Sequence, residues 1–118
     1  MDKKIENLLL EWQKIKVRLE EQHRNRNQEE ICDLMKKGIA LFHQFLLWTN
    51  EYMDDVQKPT PLFSDLEFKP VNLAERIEFI SSRPRLFHSF IQLSELMGEH
   101  EKIYQKKQAM KKASKQNT

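Results

Sequence analysis

In Ile5-Glu6-Asn7-Leu8-Leu9-Leu10-Glu11-Trp12-Gln13-Lys14-Ile15-Lys16-Val17-Arg18-Leu19, the residues Ile5, Leu8, Trp12, Ile15 and Leu19 recur at steps of three and four, and Leu9 widens the stripe. That period describes one face of an α-helix and not the alternation of a strand. It predicts a helix over residues 3–22. The polar run His23-Arg24-Asn25-Arg26-Asn27 has no such pattern and marks a turn. From Gln28 to Met53 the period resumes through Ile31, Leu34, Met35, Phe42, Phe45, Leu46 and Tyr52, with Leu41 and Trp48 at one margin. This apolar arc is wider than a surface helix carries, which predicts a central position.

Between Asp54 and Val71 the helical period stops. Pro59, Pro61 and Pro70 remove backbone donors and hold their predecessors extended. Leu62, Phe63, Leu66 and Phe68 are too apolar for a free linker, so the segment is expected to be an ordered crossover, with one helical turn starting at Pro61. Asn72-Leu73-Ala74-Glu75 has the spacing of a capping box. It predicts a short third helix that turns Leu73, Ile77 and Ile80 inward and ends near Ser81-Ser82-Arg83. Pro84 suits the first turn of a fourth helix. That helix carries Phe87, Phe90, Ile91, Met97 and Tyr104 inward, with Leu86, Leu93 and Leu96 extending the arc. Gly98 inside it marks either a close approach of another backbone or a tolerated weak point. The expected architecture is an all-α bundle of three long helices and one short helix, with a proline-containing crossover. Residues 1–106 form its single domain, and 107–118 form a frayed or disordered basic tail.

Composition removes several function classes. With 118 residues there is room for one modest core. Two glycines exclude loops that cradle phosphate with several of them, and one cysteine excludes a disulfide framework or a thiolate zinc cluster. No apolar run reaches the length of a signal sequence or a membrane span. The expectation is a cytoplasmic protein, off the membrane, with Cys32 reduced and behaving as a small apolar residue, and either a monomer or a weak homodimer. Net charge is +2, yet the stretch from Lys102 to Thr118 holds six lysines and no acid, which leaves the remainder at −4. Lys106, Lys107, Lys111, Lys112 and Lys115 therefore offer weak electrostatic attraction to nucleic acid, or serve only as a solvated helix end.

Two histidines invite a metal reading. Leu41-Phe42-His43-Gln44-Phe45-Leu46 echoes Leu86-Phe87-His88-Ser89-Phe90-Ile91. Facing histidines in a bundle can hold a metal, but His43 and His88 each lie at the margin of an apolar arc, where half-buried packing is the ordinary role. No metal and no cofactor is expected. Arg85, His88, Gln92, Glu95 and Glu99 form one polar stripe on the fourth helix, and Arg76, Arg83 and Arg85 cluster near the junction of the last two helices. Arginine forks suit carboxylate or phosphate partners. Leu10 and Val17, seven apart and off the main stripe, make either a partner contact or surface scatter.

Lys69-Pro70-Val71-Asn72-Leu73-Ala74-Glu75-Arg76-Ile77-Glu78-Phe79-Ile80, then Arg83-Pro84 and Phe87-His88-Ser89-Phe90-Ile91-Gln92-Leu93-Ser94-Glu95-Leu96, resemble the YpoC-like family of small proteins from Bacillus, Staphylococcus and relatives. The likeness is specific over about residues 68–106 and diffuse over the first two helices. It implies a cytosolic bacterial protein without an established activity, and a gene neighbourhood with replication initiation and endonuclease III implies a link to DNA maintenance. It carries over no catalytic residue. Within the signature, Arg76, Arg83, His88, Gln92 and Glu95 are the polar positions and, with Arg85, the candidate recognition surface. The function expected is a non-enzymatic helical module that binds another protein. The alternatives are a DNA-associated accessory protein acting through the lysine tail, and a histidine-containing metal-binding bundle.

Overall fold

The computed structural model describes residues 2–52 and 59–116, with side chains through Ala113. Four α-helices follow in order: α1 (Lys3–Asn25), α2 (Gln28–Thr49), α3 (Leu73–Ser82) and α4 (Phe87–Gln116), with a single 3₁₀ turn at Phe63–Asp65 before α3. There is no strand among the described residues. None of the described helices is long and apolar enough to cross a membrane.

Local chemistry starts and stops these helices. The Asp2 carboxylate accepts the Lys4 amide at 2.8 Å and caps α1. That helix ends in a left-handed residue, Arg26 at φ 56, where the Asn27 amide reaches back to the Gln22 carbonyl. Asn27 then caps α2 by accepting from Glu30 N–H at 3.2 Å. The hairpin turn therefore occupies two residues, and His23 through Asn25 belong to α1.

α2 stops at Thr49, earlier than its apolar period predicts. The Asn50 side chain donates to the Phe68 carbonyl and accepts from the Phe68 amide, both at 2.9 Å. Glu51 turns left-handed at φ 64. Tyr52, expected inward, is 38% exposed, and the expected last residue, Met53, lies outside the described residues. The Asn50–Phe68 pairing docks the crossover on the bundle, where Leu66 is buried at 3% exposure.

The capping box expected at Asn72 does not form. Asn72 adopts a left-handed conformation that asparagine tolerates, and its side chain makes no cap hydrogen bond. The Arg76 guanidinium instead satisfies the Val71 carbonyl at 3.1 Å. Pro84 lies in a turn ahead of α4 and not in its first turn, so α4 begins at Phe87.

The core follows the stripes of α1 and α2: Ile5, Leu8, Trp12, Ile15 and Leu19 meet Ile31, Leu34, Met35, Phe42, Phe45 and Leu46. From α4 come Phe90, Leu93, Leu96, Met97 and Tyr104. α3 packs mainly on α4 and buries Leu73 and Ile80. Three residues expected inward on α4 are exposed: Leu86 at 47%, Phe87 at 55% and Ile91 at 36%. At about 100° per residue, Ile91 lies well over a quarter turn from the Phe90–Leu93–Met97 stripe. Phe87 lies on the near side, but at the end of α1, where His23 meets its ring edge-on and leaves it half-open.

Of the tail expected to fray, 107–118, the residues through Gln116 are helical, and 117–118 lie outside the described residues. Lys107 Nζ donates to the Thr49 carbonyl and pairs with Glu51 at 3.5 Å, and Lys111 pairs with the same carboxylate at 3.4 Å. These contacts tie the C-terminal half of α4 to the end of α2. Tyr104 adds a tie to α1, its hydroxyl accepting from the Asp2 amide at 3.1 Å.

Of the two readings of Gly98, the tolerated weak point is the one the packing supports, since a Cβ there would meet nothing within 4 Å. Gly98→Ala is expected to stabilise the fold by about 1 kcal/mol through helix propensity alone. Urea unfolding reads this as a higher midpoint at constant m; a lower midpoint would contradict the open environment.

Candidate functional site

The residues singled out from the sequence divide into those the fold uses and those it leaves outside. Arg76 belongs to the first group. Its guanidinium pairs with Glu99 of α4 and bonds the Val71 carbonyl, which clasps α3 to α4 and matches its charge internally. Lys107 is also used: besides Thr49 and Glu51, its ammonium lies 4.9 Å over the Phe68 ring. Lys107 first and then Lys111 hold the Glu51 carboxyl below the usual carboxylate range. Lys106 and Lys112 are exposed without a partner among the described residues, and Lys115 lies outside the described side chains.

The two histidines of the repeated motif do not meet. His43 stands edge-on to Phe63 of the crossover at 6.2 Å. His88 stands edge-on to Phe79 of α3 at 5.6 Å and hydrogen-bonds Gln92 at 3.0 Å. The two copies also differ in burial, because Phe42 and Phe45 are enclosed while Phe87 is open. No group of three metal-ligating side chains exists among the described residues.

A histidine that the sequence reading passed over is the most buried titratable group of the core. His100 is fully enclosed between Phe42 and Phe45, with ring centroids at 6.0 and 4.6 Å. Its Nε2 lies 2.9 Å from Thr49 Oγ1, and the threonine hydroxyl donates to the Phe45 carbonyl at 2.7 Å. With that hydroxyl proton committed, His100 Nε2–H is the donor and Nδ1 is left without a partner. Burial lowers the His100 pKa to about 4, so the imidazole is neutral at ordinary pH. The signal was present in the spacing: Leu93, Met97, His100 and Tyr104 are one uninterrupted stripe. His100 is a structural member of the core and has no open space beside it for a substrate.

The outward group gathers at the corner where α3 passes to α4. Arg83 lies 4.7 Å over the Phe79 ring and donates to Ser82 Oγ at 3.1 Å, which fixes its guanidinium at the surface. Arg85 is exposed two residues from Phe87. Phe87 meets His23 of α1 edge-on at 5.2 Å and tilts against Phe90 at 5.8 Å. With Glu20, His23 and Arg24, it lines an open groove of about 460 Å³ between α1 and α4. Burial lowers the pKa of His23. Gln92 is half-buried and Glu95 exposed further along α4, toward the Arg76–Glu99 pair. The fold brings Arg83, Arg85 and His88 to this corner and leaves Arg76 to clasp the helices.

The profile of the family described as YpoC-like protein matches residues 2–112. Among curated proteins, the chain is similar to the one named "Uncharacterized protein YpoC" from Bacillus subtilis (strain 168), with 36% identity over 100 residues. The aligned part covers 84% of this chain and 61% of that relative, so the chain spans about three fifths of the protein it matches. No solved structure matches it. The profile reaches across α1 and α2, where the likeness read from the sequence was diffuse.

Proposed function

The chain belongs to the YpoC-like protein family, and on that premise we propose that it is a non-enzymatic helical module that binds another protein through its α3–α4 corner. The observation that carries this reading is Phe87, a large aromatic side chain 55% exposed and flanked by Arg83 and Arg85. Aromatic residues and arginines are the types in which binding energy concentrates at protein interfaces. Leu86 and Ile91, at 47% and 36% exposure, extend the apolar surface around it.

The lysine-rich end supports a nucleic-acid role less well. Lys107 and Lys111 are paired with Glu51. At about 100° per residue, Lys102 and Lys106, Lys107 and Lys111, and Lys112 point in three directions and form no single track for phosphates.

Capture of partners from a native host lysate tests the proposal, with Phe87→Asp and the Arg83→Glu/Arg85→Glu double variant as comparisons. Both variants are expected to lose a specific partner that the parent recovers, while their thermal unfolding stays within a few degrees of the parent. Equal recovery by parent and both variants removes this corner as the contact surface.

A further inference from the structure

We infer that the element bound at this corner is an acidic peptide segment that inserts an apolar side chain into the groove that Glu20, His23, Arg24 and Phe87 line between α1 and α4. The inference rests on the interaction reading above and adds the chemistry of the partner. Arg24, Arg83 and Arg85 have no carboxylate within ion-pair distance among the described residues, although 32% of the chain is charged. Elsewhere in the fold, Arg18 and Arg76 are each matched, to Glu30 and to Glu99. Of the unmatched guanidinium groups, Arg24 lines the groove beside Phe87, Arg83 and Arg85 lie in the adjoining α3–α4 turn, and Arg26 ends α1; their forks donate to both oxygens of a carboxylate.

The groove selects a peptide over a nucleic-acid strand. Phe87 is a single open aromatic ring, and the surface beside it is aliphatic, from Leu86 and Ile91. Stacking along a strand needs successive aromatic faces, whereas a Leu, Phe or Trp side chain needs only an apolar cleft. Glu20 forms part of the wall. It opposes a chain with a phosphate at every step, but not a peptide that places its carboxylates over Arg24, Arg83 and Arg85 and an apolar side chain beside Glu20.

Selection from a random-peptide display library on the full-length chain tests this directly. The expected result is enrichment of sequences with an aromatic or Leu anchor flanked by Asp or Glu. Their affinity should fall about tenfold or more in Phe87→Ser and in Arg24→Glu/Arg85→Glu, and it should weaken with salt. The inference is overturned if the library yields no binder, if binders lack acidic residues, or if acidic binders survive the double charge reversal. Displacement by oligo-dT as efficient as by the selected peptide would also overturn it and assign the corner to nucleic acid. A captured host partner that depends on Phe87, together with non-acidic selected peptides, would leave the interaction reading standing and remove only this inference. Circular dichroism of each variant separates lost binding from lost folding.

Discussion

Gly38→Leu is expected to cost about 3 kcal/mol or more, a large fraction of the total stability of a domain this size. A Cβ at Gly38 would lie 3.0 Å from Trp12 Cζ3 and 3.0 Å from Leu93 Cδ2. The helix carrying Gly38 is thus pressed between one side chain of α1 and another of α4, at the point where three helices come together. Trp12 is 3% exposed and Leu93 fully buried, so neither has space into which to retreat. Gly38→Ala tests the same contact more gently, because better helix propensity offsets part of the steric cost. Urea unfolding of parent, Gly38→Ala and Gly38→Leu should give midpoints in descending order. A Gly38→Leu protein as stable as the parent would show that α1, α2 and α4 do not converge at this residue.

Acidification is expected to destabilise the protein well before its carboxylates titrate fully, and His100 is the cause. Its folded pKa is about 4 against an ordinary value of 6.5. Above pH 6.5 neither state is protonated there, and the buried neutral ring costs nothing extra. As pH falls from 6.5 toward 4, the unfolded chain takes up a proton that the folded chain refuses, so stability falls. The loss amounts to about 3 kcal/mol once pH has dropped through the folded pKa. His23, lowered in the same direction, adds to the slope. His100→Gln retains a donor toward Thr49 Oγ1 without a titrating ring, and it should flatten most of this dependence. Its stability measured from pH 7 to 4.5 should diverge from the parent toward the acid end. Parallel curves would show that the imidazole titrates in solvent, contrary to its enclosure by Phe42 and Phe45.

Much of the architecture was legible because burial in helices leaves a period. Ile5 to Leu19 and Ile31 to Leu46 repeat at three and four, and those residues form the core. The single turn expected to start at Pro61 forms two residues later, as the 3₁₀ turn at Phe63–Asp65, with Leu62 still extended. The expected site was legible by residue type only. Arg83 and Arg85 are at an exposed corner, whereas Arg76, of the same chemistry and seven positions before Arg83, is clasped to Glu99. Whether an arginine meets a carboxylate depends on which helix packs beside it, and the sequence of α3 alone carries no record of α4.

The same division accounts for Phe87, Gly98 and Lys107. Phe87 continues an apolar stripe, but its cover depends on where α1 ends in space. Both glycines are helical and look alike in sequence, yet Gly38 is pressed by Trp12 and Leu93 while Gly98 faces nothing within 4 Å. Lys107 belongs to a run that reads as a solvated end until the α2 terminus supplies Thr49 and Glu51 as partners. The spacing of apolar residues determined by itself that this chain makes helices and which stripe of each turns inward, because that period is a property of one segment and its contact with water. Which glycine is crowded, which charge is spent and which phenylalanine stays open were decided only when separate segments met, since each depends on atoms far away along the chain.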